Sequence, residues 1–487
     1  MTLIDTYAWE GRIFSGEWFF GSGEHYQATE PATGKSLGLV GSATADDVQG
    51  AVERAARAQR EWAALPYDER AGVLRRAGQL FEKHHEEIED WIIRESGAIR
   101  AFAAHQTRND GAGECYEAAA LATAPYGQLL RSHQQRLSFS RRLPVGVVGV
   151  IAPFNAPVTL AIRAVAPALA VGNAVVLKPD LRTAICGGVL LARIFQEAGL
   201  PPGLLHMLPG GLEVGSAIVD HPQVPVIAFT GSTATGRAIA TSAARSLKRV
   251  HLELGGNSAL IVLDDVDLEK AVSVGAFGSF HHAGQICMAS SRHLVHSSIV
   301  DDYVALLAER ARTLPVGDPA RDDVAIGPVI DAPQRDRIHQ MVTDSLDAGA
   351  RLAAGGTYDG LFYRPTVLAD VPLTAPVYCE EIFGPVAPVV SFDDLDQAAS
   401  LACDTAYGLS LGIMSRDVAR AMTLADRIPS GLVHINDQTV NDEPTIPFGG
   451  VGDSGNGSRH GGHSANLEAF TESQWVTVRG ELPQYPF

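Results

Sequence analysis

A few side chains in this sequence could carry covalent chemistry. Cys287 lies in the stretch HHAGQICMASSRHLV, flanked by Ile286 and Met288. A thiol attacks only as thiolate, so it needs a depressed pKa, a base or a nearby dipole. Taken alone, such a cysteine reads as a small buried hydrophobe. His281 and His282 lie just upstream, but nearness in sequence is not nearness in space, so Cys–His hydrolase chemistry stays open. Glu253, in RVHLELGGNSALIVL, is odder. A carboxylate among leucines is costly to bury, and burial raises its pKa. That suits a general base working near neutral pH. The plainer reading is an exposed residue on an edge strand.

A second set could hold a phosphorylated ligand. In FTGSTATGRAIA, Gly231 and Gly236 bracket a turn that carries Ser232, Thr233 and Thr235. Backbone N–H groups at a helix start, together with the helix dipole, favour a phosphate. The spacing is neither G-x-G-x-x-G nor a Walker loop, which needs a Lys after the second Gly. Lys178 ends AVVLKP, where it could reach a ribose or phosphate, or simply face solvent.

The elements that must position these groups alternate. VGVVGVIA, AVVLK, LLHML and VIAFT read as short buried strands. Between and after them, APVTLAIRAVAPALAVG, TAICGGVLLARIFQEAG, LEVGSAIVDH and ATGRAIATSAARSL read as helices. That is a parallel sheet covered on both faces, which binds ligands at the carboxyl ends of its strands. A second α/β region opens with the strand ALIVL and the helix DLEKAVSVGAFGSFHH, just before the cysteine. Residues 12–40 read as short strands and turns, and QWVTVRG near the end as a strand that pairs elsewhere in the fold or with another subunit.

Bulk properties narrow the function. With 487 residues, 46% of them hydrophobic, the chain can bury a large core in two or three domains. A formal net charge of -18 disfavours nucleic acid or an anionic membrane as partner. The five cysteines are sparse and lack metal-type spacing, so free thiols, no metal site and a cytoplasmic protein are expected. The N-terminal stretch does not read as a signal peptide, and the most apolar run is too short to span a bilayer.

APFNAP, AVVLKP, FTGSTATG, LELGG, GQIC, EEIFGP and PFGGVGDSG stand in an order and spacing that resembles the aldehyde dehydrogenase superfamily over essentially the whole chain. The resemblance implies an α/β fold with a Rossmann-like cofactor-binding domain (1–122 and 144–252) and a second α/β catalytic domain (253–455). A small β oligomerisation element with the C-terminal tail (123–143 and 456–487) completes it, in a homodimer or homotetramer. It implies Cys287 as nucleophile, Glu253 as general base and Asn155 as oxyanion donor. Lys178, Gly211, Gly231, Ser232, Gly236, Glu381 and Phe383 would then contact NAD. The implied reaction is aldehyde oxidation through a Cys287 thiohemiacetal, hydride transfer, and hydrolysis of the thioester with help from Glu253. Family members that pass the acyl group to coenzyme A lack this base.

One departure concerns the cofactor. Many NAD-using members carry a Glu three residues after the sheet-edge Lys; here that residue is Leu181, between Asp180 and Arg182. NAD is expected, with NADP possible. For the substrate, VHINDQTVNDEPTIPFGG and KPDLRTAICGG resemble the benzaldehyde and vanillin dehydrogenase branch. Ile286, Met288 and the small Ala156 suit a flat ring, so an aromatic aldehyde is expected. The alternatives are a broad aliphatic or semialdehyde substrate and, from another class, a cofactor-independent Cys hydrolase.

Overall fold

A computed structural model describes residues 2–487. The first sheet has seven strands: β1 (Arg12–Ser15), β2 (Trp18–Phe20), β3 (Val147–Ile151), β4 (Ala174–Lys178), β5 (Leu205–Met207), β6 (Val226–Thr230) and β7 (Arg249–Glu253). Their spatial order is β7-β6-β3-β4-β5-β1-β2. β3 to β7 run parallel, and β1 joins β5 antiparallel. Largely apolar strands such as VVGVI and AVVLK form its centre because both faces lie under helices.

The second sheet also has seven strands: β8 (Ser258–Val262), β9 (Ser290–His296), β10 (Arg351–Ala354), β11 (Thr366–Ala369), β12 (Val386–Phe392), β13 (Ser410–Met414) and β14 (Leu432–Ile435). Their order is β10-β11-β12-β9-β8-β13-β14. Each large sheet has its own apolar core. Only four residues lie between Glu253, which ends β7, and Ser258, which opens β8, so the last strand of one sheet leads directly into the other.

The first five residues of QWVTVRG end the strand Thr471–Val478, which pairs antiparallel with Leu137–Pro144 of the same chain, from Thr471 opposite Pro144 to Val478 opposite Leu137. Gly127–Leu129 adds a third strand. Two expected helices differ in detail. TAICGGVLLARIFQEAG is a 3-10 turn (Leu181–Thr183), a π-helical turn (Ile185–Val189) and an α-helix (Leu190–Glu197). The buried Glu95 carboxylate accepts from the N–H groups of Ile185 at 2.8 Å and Cys186 at 2.7 Å, supplying acceptors where a regular helix would use its own carbonyls. The helix expected through His282 ends at Phe280. His282, Ala283 and Gly284 all take left-handed backbone angles, and a Cβ on Gly284 would meet the Gly384 carbonyl oxygen at 2.1 Å. This sharp reversal aims the segment containing Cys287 back towards the first sheet.

Among the described residues, no helix is long and apolar enough to cross a membrane.

Candidate active site

Three cavities adjoin, each sharing lining residues with the next, from the carboxyl edge of the first sheet to Cys287 and beyond. The first, of about 440 Å³, opens at the carboxyl ends of β3, β4 and β6, where Ile151, Lys178 and Thr230 line it. This is the ligand position expected of a parallel sheet. Gly211, Gly231 and Ser232 also line it. Ser232 caps the helix α1 (Thr233–Ala244), its hydroxyl accepting from the Thr235 N–H at 3.4 Å. A Cβ on Gly211 would meet nothing within 4 Å, so the backbone there faces open space. A helix start, a bare glycine and a lysine at a strand end form a cradle fit for a dinucleotide diphosphate and its ribose.

Asp180 and Arg182 line the same cavity, whereas Leu181 does not. Asp180 accepts from the Arg182 backbone N–H at 3.0 Å and from its guanidinium at 2.9 and 2.8 Å. Burial works to raise the Asp180 pKa, but these bonds and the Arg182 charge hold it below the ordinary value. Arg182 also reaches Asp331 at 2.9 Å and lies 4.0 Å over the Phe154 ring. A carboxylate therefore faces the cavity despite Leu181, beside a cation that could meet a 2′-phosphate.

The second cavity, about 300 Å³, continues past Phe154 and Gly231 to Asn155, Cys287, Glu381 and Phe383. Glu381 accepts from the Gly256 N–H at 3.0 Å. A Cβ on Gly255 would meet the Glu381 carboxylate at 2.2 Å, so LELGG needs its first glycine for this approach. Burial raises the Glu381 pKa to about 7, against the pull of the Gly256 N–H. Phe383 holds a left-handed φ of 54°, its carbonyl fixed by Gln334 Nε2 at 2.8 Å.

Cys287 and Asn155 line both this cavity and the third, of about 330 Å³. They stand at the junction. Asn155 Nδ2 donates to the Gln285 carbonyl at 2.9 Å, which fixes the amide and leaves its second hydrogen free. Among the described residues, the Cys287 N–H bonds no acceptor. Burial pushes the Cys287 thiol far above its ordinary pKa, helped by the charges of Glu381 and Glu253.

The third cavity is largely apolar and aromatic. Phe102, Leu160, Phe277, Ile286, Met288, Val440 and Phe448 line it, with Ala156 beside Asn155. His281 lies in its wall, stacked on Phe277 at 4.6 Å and edge-on to Phe102 at 4.9 Å. Burial lowers its pKa to about 4 and that of His282 to about 3, so both are neutral. No hydrogen bond joins either to Cys287 among the described residues, which leaves a Cys–His hydrolase without its base–nucleophile contact.

Glu253 lines none of the three cavities. It ends the edge strand β7 yet is only 3% exposed, because Gly455 bridges to it from the other side. Neither carboxylate oxygen has a hydrogen-bond partner; His460 Nε2 stands at 3.8 Å. Burial raises its pKa well above the ordinary range.

The sequence model described as the aldehyde dehydrogenase family matches residues 18–476. The chain belongs to the aldehyde dehydrogenase family. A vanillin dehydrogenase of Amycolatopsis sp. is 60% identical to it over 100% of both chains. A benzaldehyde dehydrogenase [NAD(+)] of Pseudomonas putida is 48% identical over 98% of each. A crystal structure described as an E. coli NADP dependent enzyme superposes with a TM-score of 0.94 at 33% identity, covering 97% of this chain and 99% of that one.

The arrangement places a thiol between a cavity that leads to the sheet's carboxyl edge and a largely apolar one. Of the cofactor contacts expected from the sequence, Gly236 alone lines none of the three cavities. It sits inside α1, where a Cβ would meet Leu254 at 2.4 Å, so it serves close packing. Phe102, His105, Asp110, Thr159 and Phe277 line the third cavity but were not anticipated. The available signal was HQTRNDGAGE, a polar, glycine-bearing interruption of a helical pattern. It folds as a π-helical turn, His105–Ala112, a form frequent at functional sites.

Proposed function

We propose that this chain oxidises aromatic aldehydes of the benzaldehyde type to carboxylic acids, with NAD as hydride acceptor and NADP also accepted. The observation that carries the reading is the position of Cys287 and Asn155, shared by an aromatic-lined cavity and the cavity that leads to the sheet's carboxyl edge. The vanillin and benzaldehyde dehydrogenases support the substrate class.

Each residue has a role that its surroundings suit. Cys287 passes its proton to solvent water and, as the thiolate, adds to the aldehyde carbon. The free hydrogen of the Asn155 amide and the Cys287 N–H meet the oxyanion of the thiohemiacetal. Preorganised donors of this kind are each worth about 3–4 kcal/mol of barrier. Bound NAD would supply the acceptor for the hydride that leaves this carbon. Lys178, Gly211, Gly231 and Ser232 would hold its diphosphate and adenosine ribose. Glu381 and Phe383 would hold the riboside next to Cys287. The thioester left on Cys287 is hydrolysed by a water whose proton passes to Glu253. That carboxylate must rotate out of its resting niche, which its lack of hydrogen bonds makes inexpensive. Asp180 would receive the 2′-hydroxyl of NAD, and Arg182 would meet a 2′-phosphate.

We assign cofactor binding to 1–122 and 144–252, catalysis to 253–455, and assembly into a cytoplasmic homodimer or homotetramer to 123–143 with 456–487. The three-stranded sheet, with Leu129, Leu137 and Trp475 exposed, supports the last assignment.

The test is absorbance of reduced nicotinamide with benzaldehyde, vanillin, hexanal and succinate semialdehyde, each with NAD and NADP. The aromatic pair is expected to show the highest kcat/KM, with NAD preferred. Faster turnover of the straight-chain aldehydes would overturn the substrate reading.

A further inference from the structure

The third cavity has aromatic walls, but Gln438, Asn441 and two carboxylates also line it; Asp442 is paired with Arg163, which leaves Asp110. Asp110 belongs to the π-helical turn and is 4% exposed. Its Oδ2 accepts from the Thr159 hydroxyl at 2.5 Å. Its Oδ1 has no hydrogen-bond donor among the described residues; His105 Nε2 stands at 3.5 Å, beyond a good bond. All three residues line the cavity that also holds Cys287. A carboxylate oxygen in an aromatic-walled slot, without a donor, costs free energy unless something else bonds it.

The spacing suggests what that is. Thr159 lies on the helix Pro157–Ala170, four residues after Asn155. Asn155 lies just before that helix and Thr159 in its first turn, and both line the cavity that holds Cys287 and Asp110. A ring whose aldehyde oxygen meets Asn155 would carry its far edge past Leu160 towards Thr159 and Asp110.

We infer that Asp110, held by Thr159 and flanked by His105, is a subsite for a ring hydroxyl, and that the preferred substrates are phenolic benzaldehydes. This rests on the proposed aromatic aldehyde oxidation and names its substrate class. The phenol O–H donates to Asp110 Oδ1, while Thr159 keeps the carboxylate in place through Oδ2. Methylating the hydroxyl removes the donor and leaves an ether oxygen against a carboxylate, so the methoxy analogue is disfavoured. Asp110 is a specificity residue; it takes no part in bond making.

The test compares kcat/KM for benzaldehyde, 3- and 4-hydroxybenzaldehyde and 4-methoxybenzaldehyde within each of three proteins: the unaltered chain, Asp110→Leu and Asp110→Asn. The preference for the better hydroxy isomer over its methoxy counterpart should be on the order of tenfold or more, the factor typical of a hydrogen bond to a charged group. It should collapse in Asp110→Leu and fall partway in Asp110→Asn. Because the ratio is read within one protein, general damage from a substitution cancels. Calorimetry of the same aldehydes with Cys287→Ala reads the subsite without turnover, and the hydroxy compound should bind more tightly there and lose that advantage when Asp110→Leu is added. An equal ratio in all three proteins, or equal binding of hydroxy and methoxy compounds, would overturn the subsite. If the unaltered chain oxidises no aromatic aldehyde, the reaction reading fails instead, and the calorimetry still decides the subsite.

Discussion

The cavities on either side of Cys287 are built in different ways. The cofactor side uses backbone: strand ends at Ile151, Lys178 and Thr230, a bare glycine at 211 and a helix start at Ser232. The substrate side uses side chains from four separated segments, around 101–110, 155–160, 277–288 and 438–448. A diphosphate needs N–H groups and a dipole, which any chain can present if glycine lets the ligand approach. A ring needs apolar walls of particular shape, which only side chains supply. Changes on one side should therefore leave the other intact, with Cys287 and Asn155 the places where both fail.

The largest effect is expected at the junction. Cys287→Ala should abolish aldehyde oxidation with every substrate while NAD still binds, as followed by calorimetry. Next comes Glu253→Gln, which should lower steady-state turnover by about 10²–10⁴ yet keep the first, rapid reduction of nicotinamide. The sign of the pH effect follows from burial. Glu253 has a raised pKa, so below it the carboxyl is protonated and cannot take a proton from water. Acid release in the unaltered chain should rise with pH through that pKa, and the rise should vanish in Glu253→Gln. Asn155→Ala should cost about 10²–10³ in kcat and, unlike Glu253→Gln, should slow the rapid phase as well.

Two milder substitutions test the independence of the two sides. Lys178→Ala should raise KM for NAD by about 10–100-fold, the loss of a charged hydrogen bond, with the aldehyde KM unchanged. Phe277→Ala, at the mouth of the third cavity, should raise KM for benzaldehyde by about 2–10-fold from lost ring contact, with the NAD KM unchanged. If either raised both constants equally, the cavities would be coupled beyond their shared junction.

This contrast explains what could be read in advance. Strands, crossovers and the glycine turn at 231 follow from local patterns, and so does the thiol's neighbourhood through Ile286 and Met288. Glu253 was legible as an anomaly, a carboxylate among leucines, though not its distance from the cavities, because a strand register says nothing of side-chain rotation. The polar recess at Asp110 was not legible. It depends on a π-helical turn meeting a helix fifty residues away, and no spacing in the chain records that contact. Asp180 is intermediate: its presence next to Leu181 was visible, but its inward turn depends on the bonds from Arg182.

The central claim is that Cys287 forms a covalent acyl bond between the two cavities and that Glu253 releases it. Mass spectrometry of Glu253→Gln after mixing with NAD and benzaldehyde tests this most directly. The account predicts one nicotinamide reduced per active site and a benzoyl group on the peptide containing Cys287. Nicotinamide reduction with that peptide unmodified, or a benzoyl group on another residue, would contradict it.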